Sequence, residues 1–191
     1  MKLDEFDGVG VFAVSLVDIP AIEENWVKLS KMEAVKLQSI DEDKRMVYGA
    51  VLVPDKLILR IDQATNEEYY IQFPAETIKA AAHMYMKRGN QKKVTYMHEF
   101  EIDGVTTVET WLKESDEDKS AALGLGHLPV GTWFIGQKVD NDAVWEKIKS
   151  GKVRGFSIEG LFDTMEEMSK HQTQEEKLLS ELAGLIESCK N

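Results

Sequence analysis

The chain has 191 residues, a formal net charge of -11 and a pI of about 4.9, and its length suits one domain with a short appendage. The acidic balance argues against direct nucleic-acid binding, because phosphate contacts need clustered Lys and Arg side chains. The single cysteine, Cys189, excludes an internal disulfide and fits a reducing compartment, and we expect neither a signal peptide nor a membrane span of ~18 apolar residues.

The first half of the chain alternates β-forming runs with turns. Residues 9–20 form an apolar run closed by a proline, which predicts a buried strand, and Ser15 within it is expected to hydrogen-bond locally. Further strands are predicted at 47–53, 56–61 and 69–73. Pro74 opens a predicted helix that runs to about Arg88, and His83 within it is interpreted as a surface or packing histidine.

A hairpin is predicted around Asp103-Gly104, between strands at 93–100 and 105–112. His98 and Glu109 lie about equally far from that turn, so we expect them to be cross-strand neighbours. A carboxylate beside a histidine fixes the tautomer and favours the imidazolium that a general base forms. The alternative is an ordinary polar pair on a half-solvated sheet.

The glycine-rich stretch 123–126 predicts a flexible or ligand-adjacent loop. It is not a phosphate-binding loop, because no Gly-Lys-Ser/Thr follows it. His127 comes directly after this stretch and is either a second catalytic candidate or an ordinary loop residue. The histidines are scattered without a His-x-x-x-His pair, so we predict no metal site and no cofactor.

The stretch 131–162 carries the best candidate nucleophile, Ser157. A strand, a short helix and a second strand are predicted at 132–139, around 144–148 and at 153–162. Two glycines flank the serine in the second strand, which indicates a bulge or the close approach of another backbone, such as a substrate peptide. A serine becomes nucleophilic beside a base that a third group orients, so Ser157 and His98 are the preferred catalytic pair. The serine is not in a Gly-x-Ser-x-Gly elbow, because Glu159 replaces the second glycine.

The last segment, 163–191, changes character and is read as an appendage to a domain at 1–162. It is polar and charged but carries an apolar stripe at helical spacing. The stripe consists of Leu178, Leu179, Leu182, Leu185 and Ile186. We therefore predict an amphipathic helix that docks on the domain, on a partner or on a second copy of the chain.

Several spaced strings in the same order resemble phage serine proteases of the XkdF type, relatives of the prohead maturation proteases. The strings are VSLVDIPAIEENW, YGAVLVPDKLILR, YYIQFPAETIKAAAHMYM, HEFEIDGVTTVETW and GTWFIGQKVDNDAVWEKIKSGKVRGFSIEGLF, and they cover roughly residues 9–162. Prohead proteases are similar in fold to herpesvirus assemblins. The resemblance therefore implies an α+β fold with a β-barrel-like core wrapped by helices, and the amphipathic C-terminal helix follows it.

Carried over by position, Ser157 matches the family nucleophile and His98 the general base. The resemblance leaves the third member of the triad open. Glu109 fits the hairpin expectation, whereas assemblins use a second histidine, which makes His127 the weaker alternative.

Other details of the resemblance concern residues around these strands. In other prohead proteases a VSLVDIPA-like motif follows the serine and often has a glutamate just before it. In this chain the motif lies near the N-terminus, and Ala13 stands where that glutamate would fall. Asp18 is a distant substitute for the missing acid. Backbone amides near Gly155 are expected to stabilise the oxyanion, with Arg154 as a helper or an ordinary turn cation.

The resemblance implies a serine endopeptidase that cleaves scaffolding and major capsid proteins inside an immature phage head in the host cytoplasm. Self-cleavage of the tail and a homodimer are further expectations. Two other readings stay open. One is an inactive protease-fold protein with a structural role in head assembly, and the other is a binding module that works through its acidic face and its tail.

Overall fold

The computed structural model describes residues 10–20, 27–28, 44–61 and 66–161, and those from 10 to 160 belong to one compact unit. The predicted C-terminal helix and the domain boundary at residue 162 lie outside the described residues. None of the helices in the described ranges is long and apolar enough to cross a membrane.

The described chain alternates short strands with few helices. The strands are β1 (Gly10–Val17), β2 (Val27–Lys28), β3 (Met46–Leu52), β4 (Ile58–Ile61), β5 (Glu68–Ile71), β6 (Val94–Tyr96), β7 (Phe100–Glu101), β8 (Val105–Leu112), β9 (Trp133–Val139) and β10 (Gly155–Leu161). The helices are α1 (Ala75–Lys87), α2 (Lys119–Ala122) and α3 (Asp142–Lys149), with a 3₁₀ turn at Asn90–Lys92.

These strands form two four-stranded sheets and one hairpin. The first sheet has the order β10-β1-β6-β7, the second has the order β2-β3-β9-β8, and β4 pairs with β5. The α+β class predicted from the sequence is confirmed. Among the described strands there is no closed barrel, so the assemblin-like architecture is not seen in this part of the chain.

The predicted strand at 93–100 is interrupted by a tight turn. β6 ends at Tyr96, the chain reverses, and β7 pairs back on β6 in antiparallel fashion, with Tyr96 opposite Phe100. On its other side β6 pairs in parallel with β1, with Ser15 opposite Thr95. His98 therefore lies in a turn at the end of the first sheet and not within a strand.

The predicted hairpin between 93–100 and 105–112 is wrong. β8 instead pairs with β9 in antiparallel register from Val105↔Val139 to Leu112↔Trp133. The physical reason is that the turn before β7 already provides β6 with a partner, whereas β9 offers β8 a long and almost fully buried strand. Because the side chains of β9 are largely apolar, this pairing removes more surface from water than a two-residue partner could.

Helix α1 packs against strands of both four-stranded sheets. The sequence signals at its ends are confirmed: Pro74 precedes it, and Gly89 follows it in the left-handed conformation with φ of 70°. Tyr85 on its inner face meets the Trp133 ring edge-on at 5.5 Å and shares a hydrogen bond with Thr107 at 3.0 Å. Burial raises the pKa of the Tyr85 phenol. The helix thus fixes β8 and β9 relative to β1.

A buried lysine holds the glycine-rich loop in place. The Lys113 side chain has no exposed surface, and its Nζ donates to the carbonyls of Gly126 and Leu128 at 2.7 Å each. A third bond goes to Asp116 Oδ1 at 2.9 Å, whose carboxylate is exposed. These three acceptors satisfy the ammonium group, as a buried lysine requires.

We expect Lys113→Met to lower the free energy of unfolding by about 2–6 kcal/mol, because the carbonyls of Gly126 and Leu128 lose their donor at ~1–3 kcal/mol each. Urea unfolding measures this as a lower midpoint at an unchanged slope. Lys79→Met, at an exposed position on α1, is the matched control and should stay within ~0.5 kcal/mol of wild type. Equal midpoints for the two variants would contradict the assigned role.

Candidate active site

The turn between β6 and β7 holds His98 in an uncommon backbone conformation. Met97 and His98 have φ of 51° and 61°, in the left-handed region. Apart from Gly, Asn, Asp and His, residues rarely adopt this region, and each non-glycine residue in it costs roughly 1–3 kcal/mol. Such strain persists only where surrounding contacts over-determine it, and it clusters at functional sites.

A carboxylate lies against the imidazole of His98. Glu159 Oε1 is 3.1 Å from His98 Nδ1, and the Thr95 hydroxyl donates to the same oxygen. Because a carboxylate can only accept, this contact places a proton on Nδ1 and leaves Nε2 free to take one. The His98 side chain is 42% exposed and that of Glu159 is 22% exposed, so the pair lies at the surface of the sheet.

Glu159 and Ser157 are two residues apart on β10, so both side chains project from the same face of the first sheet. Ser157 is 6% exposed. It lines an open cleft of about 530 Å³ together with His98. The other walls of this cleft are Val17, Asp18, Ile19, Met97 and Ile158. A hydroxyl and an imidazole therefore line one cleft, and a carboxylate contacts that imidazole.

A family comparison covers the part of the chain that contains this site. The sequence profile described as "Putative phage serine protease XkdF" matches residues 34–166, which is more than half of the chain and includes His98, Ser157 and Glu159. The chain belongs to this family.

Two curated relatives from Bacillus subtilis (strain 168) match the chain at comparable, low identity. The "Phage-like element PBSX protein XkdF" is 28% identical over 130 residues, which are 68% of this chain and 42% of the relative. The "Uncharacterized protein YqbD" is 27% identical over 150 residues, which are 78% of this chain and 41% of the relative. The chain thus spans about two fifths of the length of these relatives. No solved structure matches.

The structure does not bring Glu109 to His98. Glu109 lies on β8 of the second sheet, where its Oε1 accepts from the Tyr48 hydroxyl at 2.7 Å and its Oε2 from Lys119. Lys119 Nζ also lies over the rings of Tyr48 and Trp111, at 4.4 and 5.1 Å from their centroids. Burial raises the pKa of Tyr48 and lowers that of Lys119. The expected cross-strand contact with His98 is therefore wrong, because β8 joined the other sheet.

The other candidate residues from the sequence are Asp18, Arg154, Gly155 and His127, and the structure gives each a different place. Asp18 is on its rim, but its Oδ1 accepts from the next backbone amide at 2.8 Å. Arg154 donates from Nε to the Asp18 carbonyl at 3.0 Å, which ties the start of β10 to the end of β1. Gly155 is the first residue of β10. His127 is not among the described residues that line the cleft; it belongs to the loop that Lys113 holds.

Glu159 is the site residue that the sequence reasoning missed. In the sequence it stands out only as a departure from the Gly-x-Ser-x-Gly pattern. The available signal was the period of two along a strand, which places residues 157 and 159 on one face. Ala13 is buried on β1, the strand next to β10. In the described ranges no group of three His, Cys, Asp or Glu side chains could hold a metal ion.

Proposed function

We propose that the chain is a serine endopeptidase in which Ser157 is the nucleophile and His98 the general base. Glu159 orients the base and stabilises its imidazolium form. The observation that carries this proposal is the contact between Glu159 Oε1 and His98 Nδ1 beside the cleft that Ser157 lines. The description of the family as a phage serine protease supports it.

The reaction follows from the arrangement of these groups. As Ser157 Oγ attacks a peptide carbonyl, His98 Nε2 takes the hydroxyl proton and becomes an imidazolium that Glu159 stabilises. The imidazolium then gives the proton to the leaving amine, and an acyl-enzyme forms. Water, deprotonated by the same histidine, hydrolyses the ester and regenerates the serine. Backbone amides around Gly155 are the donors that we assign to the oxyanion, and Arg154 is given no part in this step because it bonds Asp18.

The biological assignment is that of a maturation protease of phage heads. We propose that it acts in the host cytoplasm inside the assembling prohead on scaffolding and major capsid proteins, with self-cleavage and dimerisation as further properties. The phage origin in the name of the PBSX relative supports this setting. The resemblance to prohead proteases and to assemblins supports the substrate class.

The experiment that tests the chemistry is incubation with a fluorophosphonate probe followed by intact-mass analysis and peptide mapping. We expect one adduct, on the peptide that contains Ser157, and none on Ser157→Ala. Heat-unfolded wild type should also give none, because an unassisted serine hydroxyl is a weak nucleophile. A well-folded wild type without an adduct would instead favour the protease-fold protein with a structural role. An adduct on another serine would remove Ser157 from the mechanism.

A further inference from the structure

We propose that Ser15 is a positioning residue for the reaction: it holds the turn that presents His98. This rests on the proposed function for its catalytic consequence. The sequence predicted a local hydrogen bond for this hydroxyl, and that prediction is wrong. Ser15 Oγ accepts the backbone N–H of His98, 83 positions along the chain, at 2.9 Å. Residue 15 also lies outside the part of the chain that the family profile matches.

The bond belongs to a set of three that hold successive amides of the turn. Met97 N–H donates to the Leu16 carbonyl at 3.0 Å, and Glu99 N–H donates to the Tyr96 carbonyl at 2.9 Å. His98 N–H lies between them and is the one of the three that a side chain accepts. Backbone acceptors are present whatever the sequence, whereas this acceptor depends on a hydroxyl at position 15.

The turn needs this support because two consecutive residues have left-handed dihedrals. Met97 and His98, at φ of 51° and 61°, are both in this strained region. A hydrogen bond to the turn offsets part of the strain, and a buried acceptor left without a donor is unfavourable. Ser15 is fully buried, at 0% exposure, on a strand of otherwise apolar residues and glycine. Its bond to the turn therefore satisfies a hydroxyl that water does not reach.

Ser15 also lies beside Thr95, whose hydroxyl donates to the Glu159 carboxylate. It is opposite Thr95 in the parallel pairing of β1 and β6, so both side chains project from one face of the sheet. Thr95 donates to Glu159, and Glu159 contacts the His98 ring. Two neighbouring hydroxyls thus act on the two ends of the same histidine: Ser15 on its backbone, and Thr95, through the carboxylate, on its ring.

The consequence is a specific pattern for Ser15→Ala. The imidazole should lose its fixed position in the cleft that Ser157 lines, and a displacement of about 1 Å can lower a rate by ~10²-fold. We therefore expect the second-order rate constant of phosphonylation to fall by about 10- to 100-fold. Because Ser15 is not among the described residues that line the cleft, KM for a peptide substrate should change much less than kcat.

The test combines that rate with amide hydrogen exchange at residues 97–99, which reports the turn without any activity. Ser15→Ala should accelerate exchange of the His98 amide by about tenfold, the loss of one hydrogen bond. Adding Met97→Asn should restore part of both signals, because asparagine adopts left-handed dihedrals more readily than methionine. Ser120→Ala, which removes another fully buried hydroxyl that is bonded to Asp118, is the matched control and should change neither signal at the turn.

The outcomes separate this proposal from the proposed function. Unchanged exchange at residues 97–99 in Ser15→Ala would overturn the role of Ser15 whether or not the wild type reacts with the probe. Faster exchange with an unchanged phosphonylation rate, in a wild type that reacts, would overturn its catalytic consequence. A wild type that does not react at all overturns the protease assignment, and the exchange data still decide whether Ser15 holds the turn.

Discussion

His98→Ala is expected to slow phosphonylation of Ser157 by about 10⁴- to 10⁶-fold, the size of effect that removal of a triad histidine has in serine proteases. Without the imidazole, the serine hydroxyl keeps its proton as it attacks, and the alkoxide that would form is too unstable to contribute. The measurement is the rate of adduct formation by intact mass, with far-UV circular dichroism to show that the variant folds.

Two other histidines provide the controls for this prediction. His83→Ala, at an exposed position of α1, should react at the wild-type rate. His127→Ala should also stay within a few-fold of wild type, because the loop of residue 127 does not contribute to the described cleft walls. If His127→Ala lost the reaction and His98→Ala kept it, the base would have to be reassigned.

Local signals in the sequence predicted the elements but not their pairing. The ends of α1 and the strand nature of β8, β9 and β10 followed from prolines, glycines and β-forming runs. The partner of β8 did not follow, because the Asp103-Gly104 signal favours a hairpin with the preceding strand, whereas the fold reverses earlier. Met97 and His98 are neither glycine nor asparagine, the residues that predict a turn with positive φ. Tertiary contacts, Ser15 among them, impose that turn.

The same limit explains why the sequence favours Glu109, and not Glu159, as the neighbour of His98. Ser157 and His98 are candidates because the chemistry and the resemblance both point to them. The choice between Glu109 and Glu159 depends on which strand lies beside β6 and β1, and that is a non-local property. Both acids are partly exposed and both have polar partners, so composition and period alone do not separate them.

Glu159→Gln is expected to lower the phosphonylation rate by about 10²- to 10⁴-fold. The glutamine preserves the shape of the side chain and an oxygen for Thr95, but it removes the charge that stabilises the imidazolium. Thr95 and Nδ1 share one carboxylate oxygen, so a flipped amide loses the bond to Thr95 and places its donating NH₂ group against Nδ1. That orientation would select the tautomer that leaves Nε2 protonated and unable to accept from Ser157. The upper end of the range corresponds to that reversal. The lower end corresponds to loss of charge alone at a pair that water partly reaches.

Glu109→Gln is the matched control, because it makes the same chemical change at the acid that the hairpin prediction favoured. Its carboxylate bonds Tyr48 and Lys119 on the second sheet, so we expect a rate within a few-fold of wild type. The two variants together decide between the acids. A large loss in Glu109→Gln with a wild-type rate in Glu159→Gln would contradict the arrangement of the first sheet. Loss in Glu159→Gln alone would show that the acid comes from the same strand as the nucleophile, on the face that the strand's period of two dictates.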